Sequence, residues 1–365
     1  MKDTKVIAFY LPQFHPTPNN NMWWGNGFTE WTNVGKAKPL YKGHDQPKIP
    51  ADLGYYDLRI PEVREQQVEL AKEAGIHGFC YYHYWFDGNH QELDQPFKEV
   101  LSSGKPDFPF CLCWANESWN KKFWNPDGTF DKEVLAEQKY EGTEANESHF
   151  KHLLPAFKDE RYIKIDGEPV FMIYKPLDFV DIKGFIHQWD QLARDNGFTG
   201  IHFIGHSYEP DDVDSILALG LKTVCLTRVW EPQRHYFDNK HFRGNIARII
   251  KRLTSIPFII PYDKACRYLI GPEGLREEVH PAIIPNWDHT PRSRTGGFVF
   301  QDSTPAKFQK HATEVLEQVQ AKDNRVVFLK SWNEWGEGNY LEPDLRWGKG
   351  YINALRNALN STNGQ

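Results

Sequence analysis

The chain has 365 residues, of which 40% are hydrophobic and 25% are charged, so it can bury a large core and keep a charged surface. Its formal net charge is −6 and no basic stripe is present, which argues against nucleic acid as a partner, because that interaction depends on Lys and Arg contacts to phosphates. No stretch approaches the ~18 consecutive apolar residues of a membrane span.

Short apolar runs recur along the chain, with amphipathic segments between them. Each run is nearly continuously apolar, as is typical of parallel strands that are buried on both faces. The predicted strands are 5–11, 77–84, 108–114, 168–174, 200–206, 222–227, 281–287 and 325–332.

Three of the intervening segments carry clear helix signals. One begins at Pro61 and ends at Gly75, a second starts at Ile182 and stops at Asn196, and a third starts near Pro305. Strands that alternate with helices in this way predict an α/β fold, a (β/α)8 TIM barrel that forms a single catalytic domain over residues 1–365. No GxGxxG or phosphate-loop pattern supports an open doubly wound sheet.

Two long connections interrupt the alternation, at about 12–56 and 228–262. We expect both to be extended βα loops, inserted on the catalytic face of the barrel rather than forming separate domains. The N-terminal residues run directly into the first apolar strand without a signal-peptide core, which favours a cytoplasmic location.

The number of cysteines is odd, and neither their spacing nor their context matches a zinc site. Most of them lie inside the predicted strands, so we expect buried free thiols in a reducing compartment. The cysteines are Cys80, Cys111, Cys113, Cys225 and Cys266.

Polar and aromatic side chains follow nearly every predicted strand. In a barrel of this type, active sites form where strands end and the following loops begin. Aromatic residues make up 15% of the chain, and their flat faces suit sugar rings, although a large barrel also uses them as core filler. The candidate substrate-binding residues are Tyr10, Trp24, Glu30, Trp31, His83, Tyr84, Trp85, Trp114, Asn116, Glu117, Trp119, Tyr174, His206, Trp287, Asp288, His289, Arg292, Trp332, Asn333 and Trp335.

Several of these candidates have a structural alternative. His83 and His206 are also consistent with histidines that are satisfied at a barrel rim, Glu117 with a structural salt bridge, and Asp288 with a brace for the rim. The tryptophans either form a stacking platform or pack within loops. No metal site is predicted, because His83, His206 and His289 lack a clear carboxylate partner.

Glu334 and Glu337 are the predicted catalytic pair. Glycoside hydrolysis needs one carboxyl group to protonate the departing oxygen and another to act as base or nucleophile. A spacing of three residues would place them on opposite faces of a continuing strand, but Gly336 and Gly338 allow the chain to turn and present both at one mouth. Two close carboxylates in an aromatic pocket repel each other, so one should stay protonated at neutral pH. The alternative is a surface turn with two solvated glutamates.

Four segments of the chain together resemble the WbsX-type proteins. These proteins accompany bacterial polysaccharide and O-antigen loci and are similar to glycoside hydrolase family 99, the endo-acting α-mannosidases and mannanases. The resemblance runs from the first predicted strand to the last. The segments are Ala8–His15, Trp23–Trp31, Trp114–Glu117 and Trp332–Gly338.

The resemblance implies a (β/α)8 barrel, a carbohydrate substrate, no cofactor and retention of anomeric configuration. It implies that Glu334 deprotonates the 2-hydroxyl of the substrate, which attacks the anomeric carbon to give a 1,2-anhydro sugar. It also implies that Glu337 protonates the leaving oxygen. Gly336 departs from the pattern, because those mannosidases usually have His between the two glutamates.

Three functional interpretations stay open at this point. The first is a retaining endo-acting glycoside hydrolase on an α-linked, mannose-type polysaccharide or oligosaccharide. The second is a glycosyltransferase in bacterial O-antigen or cell-surface polysaccharide biosynthesis, although no DxD-like metal motif or phosphate cradle is evident. The third is a barrel that binds glycans without turnover, which gives no reason to keep both glutamates.

Overall fold

The structure, a computed structural model, describes residues 3–124, 130–237, 254 and 256–364. Eight parallel strands form a closed ring in the order β1-β8-β7-β6-β5-β4-β3-β2, and β2 pairs again with β1. The predicted (β/α)8 barrel is therefore confirmed. The barrel strands are β1 (Lys5–Tyr10), β2 (Gly78–Trp85), β3 (Phe110–Trp114), β4 (Glu168–Ile173), β5 (His202–Ser207), β6 (Thr223–Leu226), β7 (Val279–Ile283) and β8 (Val326–Leu329).

Helices follow the strands and cover the barrel. Shorter strands lie outside it, as the hairpin Trp119–Trp124 with Phe130–Ala136 and the parallel pair Phe258–Pro261 with Phe298–Gln301. The helices are α1 (Pro18–Trp24), α2 (Glu30–Gly35), α3 (Pro61–Ala74), α4 (Gln95–Ser103), α5 (Thr143–Lys158), α6 (Ile182–Asp195), α7 (Val213–Ala218), α8 (Glu231–Phe237), α9 (Tyr262–Leu269), α10 (Thr290–Ser293), α11 (Pro305–Gln320) and α12 (Gly350–Asn363).

The three helices predicted from their end signals are present. Pro61 opens α3, and Gly75 ends it with a left-handed φ of 81°. α11 begins at Pro305, where the hydroxyl of Thr304 accepts a hydrogen bond from the backbone N–H of Lys307. These helix ends therefore follow from local capping residues that are visible in the sequence.

Strand β7 differs most from its predicted bounds. It spans Val279–Ile283, whereas the apolar pattern predicted 281–287. The chain leaves the barrel before Pro285, whose nitrogen cannot donate a ladder hydrogen bond. Residues 284–287 instead enter a second core that lies beside the barrel and contains Ile284, Trp287 and Phe298.

The main core fills the barrel and the layer between strands and helices. All five cysteines are buried and free, as the sequence predicted for the thiols themselves. Among the described residues, no helix combines the length and the apolar character that are needed to cross a membrane.

The two long loops differ in what they contribute. The loop at 12–56 carries α1 and α2 and places Gln13, Asn20 and Trp24 on a cavity at the carboxyl ends of the strands. The loop at 228–262 lies in part outside the described residues. Val229 and Ile260, in its described part, pack in the second core.

Candidate active site

A cavity of about 430 Å³ opens at the carboxyl ends of the barrel strands. Its walls come from the loop after β1, from β2 and β4, from the segment after β3, from α10 and from the exit of β8. The lining residues are Leu11, Gln13, Asn20, Trp24, Tyr82, Tyr84, Ala115, Glu117, Ser118, Trp119, Asn120, Leu135, Tyr174, Arg292, Lys330, Glu334 and Glu337.

A larger cavity of about 1030 Å³ lies at the opposite end of the barrel. It is lined by Lys5, His202 and Thr223, which stand at the amino ends of their strands, and by charged residues of both signs. In (β/α)8 enzymes the chemistry takes place at the carboxyl ends of the strands. The smaller cavity, which holds the glutamate pair, is therefore the candidate active site.

The exit of β8 places both glutamates in the cavity. Asn333–Glu334 pairs antiparallel with Asn339–Tyr340, and Trp335–Glu337 forms a single 3-10 turn between them. Gly338 closes the turn with a left-handed φ of 54°, and a Cβ atom there would lie 2.6 Å from the side chain of Asp288. This tight turn, rather than a continuing strand, brings the two carboxyl groups to one mouth.

Glu334 is 4% exposed and accepts a hydrogen bond from Lys330 Nζ at 2.9 Å. Burial raises the pKa of Glu334 to about 7; the positive charge of Lys330 opposes this shift, and the negative charge of Glu337 adds to it. The carboxyl groups of Glu334 and Glu337 line the same cavity. Glu334 thus has a pKa near neutrality.

Glu337 lies in a cationic environment. Arg292 Nη1 donates to its Oε1 atom at 2.5 Å, and His289 Nε2 lies 3.6 Å from the same oxygen. Burial works to raise the pKa of Glu337, but the Arg292 charge and the nearby imidazole of His289 outweigh it and hold the pKa well below its usual range. Below about pH 7 the pair therefore holds one proton, which resides on Glu334 in the free protein.

Lys330 is a site residue that the sequence analysis missed. It is 2% exposed, directly follows β8, and its Nζ atom also lies 3.1 Å from the hydroxyl of Tyr82. Burial opposes its charge, but the charge of Glu334 raises the pKa of Lys330, so it stays protonated. The signal was present as one Lys at the end of an otherwise apolar strand, where an unpaired charge would be costly.

Asn20 was also missed, because nothing in the surrounding run of asparagines marks it out. It is fully buried and lines the cavity from α1. Its side-chain Nδ2 and Oδ1 atoms have no hydrogen-bond partner in the described part of the chain. A buried carboxamide without partners is costly, so these atoms are available to a polar ligand in the cavity.

The structure brings eight of the sequence candidates to the cavity. They include the predicted pair Glu334 and Glu337 and two tryptophans. The residues are Trp24, Tyr84, Glu117, Trp119, Tyr174, Arg292, Glu334 and Glu337.

Three candidates on β2 and β3 point away from the cavity, so they do not contact a substrate there. His83 Nε2 lies 2.8 Å from His149 Nε2, Trp85 stacks on the same His149 ring, and the Trp114 indole donates to the backbone of Trp85. Side chains alternate along a strand, so Tyr82 and Tyr84 face the cavity while His83 and Trp85 face α5.

Three further candidates hold the framework together. The hydroxyl of Tyr10 donates to Gln67 on α3. The side chain of Asn116 accepts a hydrogen bond from the backbone N–H of Lys175. The side chain of Asn333 accepts a hydrogen bond from the backbone N–H of Leu11 and donates one to the Leu11 carbonyl. Asn116 and Asn333 thus clamp neighbouring strand ends to each other, and their polar atoms are occupied by these bonds.

The remaining candidates stand behind the cavity wall. His206 stacks on Tyr174 with ring centroids 4.6 Å apart, and Asp288 accepts from Gln46 and contacts His44. Both therefore brace the rim, as the structural alternative proposed. Of the other candidates, Glu30 and His289 contact charged residues of the site. The remaining tryptophans pack in the two cores; they are Trp31, Trp287, Trp332 and Trp335.

A family model described as Glycosyltransferase WbsX matches residues 6–355. The chain belongs to the WbsX family. The uncharacterized protein WxcX of Xanthomonas campestris pv. campestris is 32% identical in strain B100 and 33% identical in strain ATCC 33913, in each case over 97% of this chain and 49% of the relative. This WbsX-family chain therefore spans about half the length of the curated relatives that it matches.

Solved structures with the same fold include the GH99 endo-alpha-mannosidase from Bacteroides thetaiotaomicron. Its complex with bis-tris-propane aligns with a TM-score of 0.60 and 13% identity, over 100% of this chain and 99% of that chain. A glycoside hydrolase-like protein aligns with a TM-score of 0.57 and 16% identity, over 98% and 94% of the two chains. At these identities, the similarity establishes the barrel fold of the WbsX-family chain and leaves its reaction to be argued from the site.

Proposed function

We propose that this WbsX-family chain is a retaining, endo-acting glycoside hydrolase that cleaves an α-linked polysaccharide or oligosaccharide. The observation that carries the proposal is the Glu334–Glu337 pair, two carboxyl groups that line one cavity at the carboxyl ends of the strands and whose pKa values are shifted in opposite directions. Glycosidases of this kind need one protonated and one ionised carboxyl group beside the anomeric carbon. Mannose-type glycans are the first substrates to test.

In the proposed first step, Glu334 takes the proton of the sugar 2-hydroxyl, and that oxygen forms a bond to the anomeric carbon. The bond from the anomeric carbon to the leaving oxygen breaks, and Glu337 gives its proton to that oxygen. In the second step, Glu337 takes a proton from water, which opens the 1,2-anhydro ring while Glu334 returns its proton to the 2-oxygen.

This assignment uses the same number of protons as the free protein but places the proton on the other carboxyl group. A carboxylate with a pKa of about 7 is a stronger base than an ordinary one, which suits Glu334 for its role. The proposal therefore requires the proton to move from Glu334 to Glu337 when substrate binds, within the cavity that both side chains line. Lys330 then stabilises the negative charge on Glu334.

Aromatic residues support a glycan as the ligand. Trp24 is 44% exposed on α1 and lines the cavity together with Trp119 of the neighbouring hairpin. The unpartnered carboxamide of Asn20 is available to sugar hydroxyls in the same cavity. Aromatic faces that extend beyond the carboxyl pair favour several sugar units, and thus endo action.

Replacing Trp24 with Ala is expected to weaken glycan binding by ~1–3 kcal/mol, the scale of losing one large aromatic contact. Met22 provides a matched control, because it lies on the same helix, is 72% exposed and does not line the cavity. Both substitutions are made in the inactive Glu334→Gln variant. Isothermal titration with an oligosaccharide substrate then measures the affinity of each protein. Equal affinities for Trp24→Ala and Met22→Ala would remove Trp24 from the binding surface.

Glycan cleavage is expected to decline as the pH rises through about 7. The productive pair carries one proton, and Glu334 loses it with a pKa of about 7 in the free protein. The negative charge of Glu337 raises that pKa, so in Glu337→Gln the remaining carboxyl should titrate at lower pH. The measurement is kcat/KM against pH. A rate that stays level from pH 6 to 9 would contradict a shared proton.

The proposed function is tested by incubating the protein with a panel of bacterial polysaccharides and α-mannans and identifying the new reducing ends. The Glu334→Gln variant is the control for contaminating activity. New reducing ends that retain the α configuration when first formed support the proposal. No release from any α-linked glycan of the panel counts against it.

A second candidate, a glycosyltransferase in polysaccharide assembly, is favoured by the description of the matching family. It predicts binding of a nucleotide sugar, which isothermal titration detects directly. Binding of a nucleotide sugar at micromolar affinity, together with transfer to an acceptor glycan, would replace the hydrolase proposal.

A further inference from the structure

Gly336 stands between the two catalytic glutamates, and the space beside it is already occupied. A Cβ atom at this position would lie 1.5 Å from Oε1 of Glu30 and 3.1 Å from Nε of Arg292. Gly336 does not have a left-handed φ, so its backbone conformation does not require glycine. Glycine is needed here because the carboxylate of Glu30 fills the space of a side chain.

Glu30 reaches this position from α2, far away in sequence. It is 1% exposed, and its Oε1 atom accepts a hydrogen bond from Arg292 Nε at 2.9 Å. The other branch of the same guanidinium donates to Glu337. Arg292 therefore bridges a buried carboxylate that cannot reach substrate and a carboxylate that lines the cavity.

We infer that Glu30 is a positioning residue for this site: it replaces the side chain of residue 336 and holds Arg292 against Glu337. The effect of Glu30 on catalysis rests on the proposed function, whereas the packing of Glu30 against Gly336 does not. Glu30 is covered on all sides, so the sequence expectation that it binds substrate directly is not met.

The charge of Glu30 sets how strongly Arg292 favours ionised Glu337. Arg292 pairs with two carboxylates at once, so its positive charge stabilises the ionised form of Glu337 less than it would with Glu337 alone. Removing the charge of Glu30 leaves Arg292 to Glu337 alone, which makes Glu337 harder to protonate. The other titratable groups near Glu337 in the cavity include His289, Lys330, Glu334 and Glu117, and they are unchanged in this comparison.

The packing consequence is tested by a double-mutant cycle in urea unfolding, which needs no activity. Gly336→Ala is expected to lower the folding equilibrium constant at least tenfold with Glu30 present, and less than threefold in Glu30→Ala. Gly35→Ala, on the same helix as Glu30, is the control, because its Cβ would meet no atom within 4 Å. If Gly336→Ala fails to fold, the inference requires that Glu30→Ala/Gly336→Ala folds. Equal effects in both backgrounds, or failure of both proteins, would overturn it.

The electrostatic consequence is tested by the rates of two substrates. Glu30→Gln is expected to lower kcat for a natural glycan at least tenfold, because Glu337 must be protonated to assist a poor leaving group. It should change kcat for an aryl glycoside with a good leaving group less than threefold. Glu30→Asp keeps the charge and should recover part of the loss. A purely structural role would lower both rates alike. If the wild type cleaves no glycan, the proposed function fails while the unfolding cycle still decides the packing.

Discussion

Replacing Glu337 with Gln is expected to lower the cleavage rate of a natural glycan by ~10²–10⁴-fold, the usual contribution of a general acid. An aryl glycoside whose phenolate leaves without a proton should lose less than about tenfold. The reason is geometric and electrostatic: Glu337 is one of two carboxyl groups in the cavity turn, and its proton is needed only when the leaving group is poor. The measurement is kcat on both substrates with the purified variant.

Replacing Glu334 with Gln should depress both rates, because activation of the attacking oxygen is required whatever departs. Glu342→Gln is a matched control, since burial raises the pKa of Glu342 to about 7 as well, but this carboxyl bonds Trp335 and Gln67 and does not line the cavity. That variant should change the two rates in the same proportion. Equal losses on both substrates for Glu334→Gln and Glu337→Gln would leave the assignment of roles without support.

A 2-deoxy substrate tests the route more directly. The 1,2-anhydro intermediate needs the 2-hydroxyl, so the analogue should not turn over. Turnover through a glycosyl ester trapped on Glu334 would instead establish an ordinary double displacement, in which Glu334 is the nucleophile.

The barrel and the glutamate pair could be predicted because their signals are local. Each barrel strand is a nearly continuous apolar run, and Pro61 and Gly75 mark the ends of α3 within one segment. The Gly-rich turn around Glu334 and Glu337 also lies within a few residues. In each case the residues that form the structural feature are the same residues whose pattern predicts it.

Other parts of the site depend on pairing between distant segments. His83 and Trp85 belong to a strand whose neighbouring side chains do line the cavity, and only the register of β2 decides which face they take. Glu30 and Arg292 are 262 residues apart, so no local pattern shows that one fills the space next to Gly336. Lys330 stands at the end of an apolar run, and only its buried contact with Glu334 shows that it belongs to the site.

Replacing Lys330 with Met is expected to destabilise the protein by ~2 kcal/mol more at pH 8.5 than at pH 5.5, because it leaves Glu334 as a buried charge without its partner. At pH 5.5 the loss should be much smaller, because Glu334 is protonated there and a neutral carboxyl group needs no cation. Urea unfolding at the two pH values measures the difference.

The sign follows from the linkage between protonation and folding. The pKa of Glu334 in the folded protein, about 7, lies above its ordinary value, so the stability it contributes is fully present below about pH 4.3 and is lost as the pH rises through 7. Lys330 lowers that pKa, so its removal extends the loss to higher pH. Above pH 7 the variant should therefore lose up to ~1.4 kcal/mol per pH unit relative to the wild type.

A second substitution separates charge from packing. In Lys330→Met/Glu334→Gln the buried carboxylate is absent, so most of the stability lost at pH 8.5 should return while glycan cleavage stays abolished. Lys322→Met is a useful comparison, because Lys322 is also buried but its Nζ atom bonds the backbone carbonyls of Gly274 and Val279 rather than a carboxylate. A loss for Lys330→Met that is the same at both pH values, and that Glu334→Gln does not relieve, would mean that Lys330 acts by packing alone. Burial and Glu337 would then set the pKa of Glu334 without a contribution from Lys330.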